Sequence, residues 1–377
     1  MTRRRRLCAA ALAVLLLSGG QPAAAETVRS ERHAFRVETL AGGLEHPWSV
    51  AFLPGGGMLI TERAGRLRLY RGGKLDPKPL AGVPKVFADG QGGLLEVLLH
   101  PHFAENRLIY LSYSAHDGRA AHTRVTRYRL DLDGHRLTGG KRIFDGTPRV
   151  NTSHHFGGRM VFDRDGYLYL TVGERGQRDD AQDLSRPGGS VMRLHDDGRV
   201  PRDNPFAGRE GARAEIFTYG HRNPQGMALH PESGAIWIHE HGARGGDEVN
   251  ILRAGRNYGW PVISYGTHYS GEKIGVGTRK EGMEQPLHYW VPSIAPSGMA
   301  FYTGDRFPAW RGDLFVGGLV GQVLVRLALD GTKVTREEQL LEDRLGRIRD
   351  VRAGPDGYLY LTTDEADGRL LRLVPAE

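Results

Sequence analysis

Thiols are nearly absent from this chain: its 377 residues include one cysteine, Cys8. A lone cysteine closes no disulfide within the chain, and thiolate metal centres and dithiol redox chemistry are excluded with it. Long hydrophobic runs are equally scarce. The one apolar stretch, Leu7 to Leu17, is too short to cross a bilayer, and it lies between the arginines Arg3 to Arg6 and a small-residue segment ending at Ala25. That layout predicts a secretory signal over residues 1–25, cleaved near Ala25. The mature chain, 26–377, is then periplasmic or secreted, has no transmembrane segment and carries no cysteine. Beyond the signal a basic run is missing as well. The formal charge is +7, four of these charges are the arginines of the signal, and the remaining +3 is scattered among acids, so nucleic acid is not an expected partner. There is also no low-complexity linker and no long amphipathic helical pattern, which argues for one large non-helical domain.

Glycine is plentiful, 53 residues, and its placement is regular. Six segments repeat one theme, an apolar strand, a Pro/Asp/Gly turn and a second strand: they begin at Ala51, Leu98, Val161, Ala228, Phe301 and Arg352. In "VFDRDGYLYLTVGE" the alternation of Tyr167, Tyr169 and Thr171 with Leu168, Leu170 and Val172 is a strand, and Gly166 is free to take the positive φ of a tight turn. Successive echoes lie roughly fifty to seventy residues apart, room for a four-stranded blade. The pattern predicts an all-β chain folded as a six-bladed β-propeller with four-stranded antiparallel blades. A sandwich or barrel is the alternative, but sandwiches seldom repeat a hairpin at this length.

Five clusters hold polar side chains that a hairpin does not require. Gln91 stands in "DGQGGLLEV" just ahead of an apolar run. His154 and His155 lie in "NTSHHFGGRM", either of them a loop residue or a catalytic base. In "YGHRNPQGM", Pro224 biases Asn223 to extended geometry and so sets the direction of Arg222 and Asn223, a pair suited to an oxyanion or to loop carbonyls. "HEHGARGGDEVN" joins glycine-rich backbone to Asp247 and Glu248, the oxygen-rich setting of a hard cation such as Ca²⁺, although no EF-hand spacing is present. In "GRIRDV", Arg347 and Arg349 share one strand face about 7 Å apart, where they would clamp an anion or pair with Asp343 and Asp350.

Taken in order, "QGGLLEVLLHPHF", "HHFGGRMVFDRDG", "YGHRNPQGMALHP", "EHGARGGDEVN", "NYGWP", "PSIAPSGM" and "GRIRDVRAGPDGYLYLTTD" resemble the soluble quinoprotein glucose dehydrogenases, and more closely the shorter periplasmic aldose sugar dehydrogenases, from about residue 36 to 374. The resemblance implies a propeller enzyme that binds pyrroloquinoline quinone (PQQ) and Ca²⁺. By motif, His155 is implied as the base that takes the proton of an aldose's anomeric hydroxyl while hydride passes to the quinone. Arg222 is implied to stabilise the quinone oxygen, Gln91, Asn223 and Ser293 to contact the cofactor, and Arg347 and Arg349 to pair with its carboxylates. The carbonyls of Gly242 and Ala243 match ligands of the cofactor Ca²⁺. Glu248 and the Tyr258 carbonyl match a second, structural Ca²⁺. The electron acceptor is not implied by any motif. One departure stands out: where the family places a lysine against the quinone, this chain has Val320. Rival expectations are a calcium-dependent propeller lactonase or esterase, and a secreted propeller binding protein without dehydrogenase activity.

Overall fold

The computed structural model describes residues 26–376 apart from 119, 148 and 149, so the expected signal lies outside the described residues. Each sequence echo is the inner hairpin of one sheet. Met160–Phe162 pairs antiparallel with Leu168–Val172, for example, and the turn between them is tied by the Asp163 carboxylate, which accepts the amides of Asp165 and Tyr167, while Gly166 takes φ 81°. The described residues include only short helical turns, Phe103–Asn106, Arg178–Gln182 and Pro308–Trp310.

Six antiparallel sheets result, five of them four-stranded. The sixth, blade VI, combines Ile348–Ala353, Leu359–Thr363 and Gly368–Pro375 with Ala34–Leu44 from the other end of the chain, and Val28–Arg29 adds a short fifth strand outside it. The innermost strands of blades I to VI are Pro47–Phe52, Leu94–Leu99, Met160–Phe162, Pro224–Leu229, Pro296–Phe301 and Ile348–Ala353. Each touches the next, and blade VI touches blade I, so the sheets close into a six-bladed β-propeller.

Between every pair of neighbouring blades lies a separate apolar core. Trp310, Phe307, Phe315 and Leu359 fill the V–VI interface, and Trp237, Trp290, Met299 and Val316 fill IV–V. Burial of one such side chain contributes about 1.5 to 3 kcal/mol, and both sheet faces are used, which explains why strands such as Leu168–Val172 are buried throughout instead of alternating. The axis is polar. Arg159 bonds Glu96 at 2.6 Å and Asp350 at 3.0 Å, and Arg352 bonds the same two acids at 2.6 and 2.8 Å. Two arginines and two acids cancel, and their mutual hydrogen bonds meet the condition under which buried charge is tolerated.

Candidate active site

In an antiparallel hairpin the start of the first strand and the end of the second lie at the same end. Gln91, His155, Arg222, Asn223, Ser293 and Arg347 each precede an innermost strand or begin near it, and Glu174, Gly242, Val320 and Asp364 each follow a second strand. Radial closure therefore gathers all ten at one end of the propeller. They surround a cavity of about 770 Å³, with the exception of Glu174, which stands behind its wall. Trp48, Gln225 and His241 also line it, and none of these was singled out from sequence.

His155 lies on the cavity wall and is buried, whereas His154 does not line the cavity. His155 Nδ1 is 2.9 Å from Glu174 Oε1, and its backbone amide donates to Gln91 Oε1 at 2.8 Å. An ionised carboxylate only accepts, so Nδ1 carries the proton and Nε2 keeps its lone pair. Burial pushes the His155 pKa down, and the bond to Glu174 opposes it. The backbone at His155 is left-handed, φ 56°, a conformation that non-glycine residues adopt at a cost and that is held here by the Gln91 contact. Glu174 was missed because it lies 19 residues downstream, across the folded hairpin. A signal for it does exist: His221 and Glu240 form the same 19-residue pair in blade IV, at 2.7 Å.

Arg222 is buried, donates to the Gly242 carbonyl at 2.6 Å, lies 5.3 Å from the Trp260 ring and takes Glu240 Oε2 on its own amide at 2.5 Å. Asn223 Oδ1 accepts from the Gly157 amide at 3.2 Å, joining blades III and IV. The turn after Ile236–Glu240 is organised by Asp247. Its carboxylate accepts the amides of Gly242 (2.9 Å), Ile294 (2.9 Å) and Ala295 (3.1 Å) and the Ser293 hydroxyl (2.7 Å). Asp247 is thus committed to protein donors, and the sequence expectation that it helps hold a cation is replaced by a structural role for its side chain. Gly242 tolerates no side chain, since a Cβ would meet the Gly245 carbonyl oxygen at 2.1 Å.

Arg347 and Arg349 do face one cavity, but the acid beside them is neither Asp343 nor Asp350. It is Asp364, 2.7 Å from Arg349 and 3.7 Å from Arg347, with His46 Nδ1 at 2.8 Å. Burial works against ionisation of Asp364, yet Arg349, His46 and the field of Arg63 hold its carboxyl well below the usual range. Arg349 also donates to Gln225, and its buried Nε has no hydrogen-bond partner among the described residues. Val320 stands at the rim, 65 % exposed.

Glu248 and Tyr258 lie outside this cavity, in a small adjoining pocket with Glu240. Glu240 and Glu248 are directly cross-strand, and burial followed by the field of Glu240 pushes the Glu248 pKa up. Two neighbouring carboxylates with an excess of negative charge are a donor set that a hard cation fits. Among the described residues no three His, Cys, Asp or Glu side chains converge as a metal site, so any cation here draws on backbone carbonyls. No helix of the described residues is long and apolar enough to cross a membrane.

Residues 44–372 match the glucose/sorbosone dehydrogenase family. The chain is 52 % identical over 344 residues to the aldose sugar dehydrogenase YliI of Escherichia coli, covering 90 % of this chain and 92 % of that one. A solved glucose dehydrogenase is 56 % identical, with a TM-score of 0.88 over 90 % of this chain and 99 % of its own. The PQQ-bound aldose sugar dehydrogenase of Streptomyces coelicolor is 30 % identical, with a TM-score of 0.74 over 90 % and 98 % of the two chains.

Proposed function

Because the chain belongs to the glucose/sorbosone dehydrogenase family, we propose that it is a PQQ- and Ca²⁺-dependent dehydrogenase that oxidises the anomeric carbon of aldoses to lactones in the periplasm. The observation that carries this reading is one cavity holding both a base with a free lone pair, His155, and a bank of arginines that exceeds its acids. Oxidation removes a proton from the anomeric hydroxyl and a hydride from the carbon beneath it. His155 Nε2 accepts the proton, and Glu174 stabilises the imidazolium and fixes the ring. Arg222, immobilised by Gly242 and Glu240, presents a fixed cation where negative charge develops, and such preorganised charge needs no rearrangement during reaction.

The lining fits a planar polycarboxylate. Among the described residues Arg349 has a buried Nε without a partner, Arg347 is held only loosely, and Trp48 lines the wall. Gln91, Asn223 and Ser293 would hold its edge, Gly242 and Ala243 would supply carbonyls to the associated Ca²⁺, and Glu248 with the Tyr258 carbonyl would take a second Ca²⁺. Bound PQQ supplies the hydride acceptor and Ca²⁺ the Lewis acid. The lactonase alternative needs several carboxylates on one ion, an arrangement not found among the described residues. The decisive experiment is an absorbance spectrum of the apo-protein with PQQ and Ca²⁺, before and after an aldose. Conversion of the bound quinone to its reduced spectrum is expected, and a spectrum that sugar leaves unchanged refutes the proposal.

A further inference from the structure

Five arginines line the cavity, Arg63, Arg222, Arg244, Arg347 and Arg349, and the only acid among its lining residues is Asp364. Arg222 is bound to Gly242, while Arg349 and Arg347 share Asp364, whose other oxygen is taken by His46. The side chain of Arg244 is exposed to water. Arg63 differs from all of these. It is half-buried, yet among the described residues its guanidinium makes no hydrogen bond and no ion pair. Its position is not left to chance. The Arg63 amide donates to the His46 carbonyl at 3.1 Å and its carbonyl accepts from Leu94 at 3.0 Å. Its stem lies against Gly93, where a Cβ would meet Arg63 O at 2.2 Å and Arg63 Cγ at 3.0 Å. The second glycine of the "QGG" motif thus gives Arg63 room to lie across the blade I–II junction. Arg63 follows the strand Met58–Glu62 of blade I, at the same end as Arg347 and Asp364 of the adjacent blade VI.

We propose that Arg63 is a cofactor-binding residue that, with Arg347 and Arg349, forms a three-cation clamp for the carboxylates of PQQ. The inference rests on the functional reading above. It places the clamp at the seam of blades I and VI, whereas the family's lysine position, Val320, is apolar and at the rim of blade V. Arg63 is anchored at its backbone and the root of its stem, and its unused guanidinium donors are available to take a carboxylate as a fork.

The test is a titration of PQQ into apo-protein at fixed Ca²⁺, followed by quenching of tryptophan fluorescence, for wild type, Arg63→Gln and Arg63→Lys. Circular dichroism first establishes which variants fold. Arg63→Gln is expected to weaken PQQ binding by about 10- to 100-fold. Arg63→Lys keeps the charge and loses the fork, so a few-fold weakening is expected, and it provides the reading if the Gln variant does not fold. Wild-type affinity in either folded variant overturns the assignment while leaving the dehydrogenase reading intact. A wild type that binds no PQQ removes both. An acidic aldose is the other source of a carboxylate: if Arg63→Gln leaves PQQ affinity unchanged but raises KM for glucuronic acid and not for glucose, Arg63 serves the substrate and the proposal fails.

Discussion

His155 is under two opposed influences, burial that drives its proton off and a carboxylate that holds it on. Replacing it by alanine removes the base and leaves the turn, and turnover should fall by at least about 100-fold. Steady-state kinetics on a PQQ-loaded His155→Ala protein checks this, with near-normal turnover reopening the case for His154. Glu174→Gln keeps the shape and removes the charge. The upward contribution to the His155 pKa is then lost, so the acid limb of the kcat/KM profile should move to lower pH while the plateau falls. A limb that stays in place separates Glu174 from the base. The stability sign follows from the same shift. His155 resists protonation when folded, so the unfolded chain binds more protons below its ordinary pKa of 6.5, and the stability linked to this residue is lost as pH falls through that window. His155 was legible as a candidate because it stands in a motif. Glu174 was not, because only the folded hairpin between the two brings them together.

At the scale of elements, the repeated hairpins were readable because turn chemistry and period-two alternation are local properties. The polar turns above them were only half readable. "EHGARGGDEVN" shows which oxygens exist but not which are already used, and the sequence gives no sign that Asp247 is taken up by the amides of Gly242, Ile294 and Ala295. Likewise Arg347 and Arg349 are two positions apart in sequence, whereas Asp364 reaches them from the next strand's end, a relation set by the return of the chain. Asp247→Ala should leave three amides and the Ser293 hydroxyl without their acceptor. A loss of at least about 3 kcal/mol is expected in urea unfolding. An unchanged midpoint would show that the turn stands without its carboxylate.

For the whole molecule, the six-fold count was legible from spacing, but the way the ring shuts was not. Ala34–Leu44 pairs with Gly368–Pro375, joining residues as distant as Glu38 and Arg372, 334 positions apart, in a 2.7 Å ion pair. Deleting residues 26–44 removes both outer strands of blade VI, Val28–Arg29 and Ala34–Leu44, and takes the Leu44 and Phe35 side chains from two inter-blade cores. Such a protein should lose cooperative thermal unfolding, and a native-like transition in differential scanning calorimetry would contradict this. In terms of folding order, closing so long a loop in a flexible chain costs about 5 kcal/mol. The other blades can assemble from nearer neighbours and bring the two ends together, so the seam is expected to form last. Until it does, Gly368–Pro375 is an unpaired sheet edge, open to the matching strand of another molecule. A synthetic peptide of residues 26–44, added to the shortened protein, should therefore cover this edge and convert edge-to-edge dimers to monomers in size-exclusion chromatography.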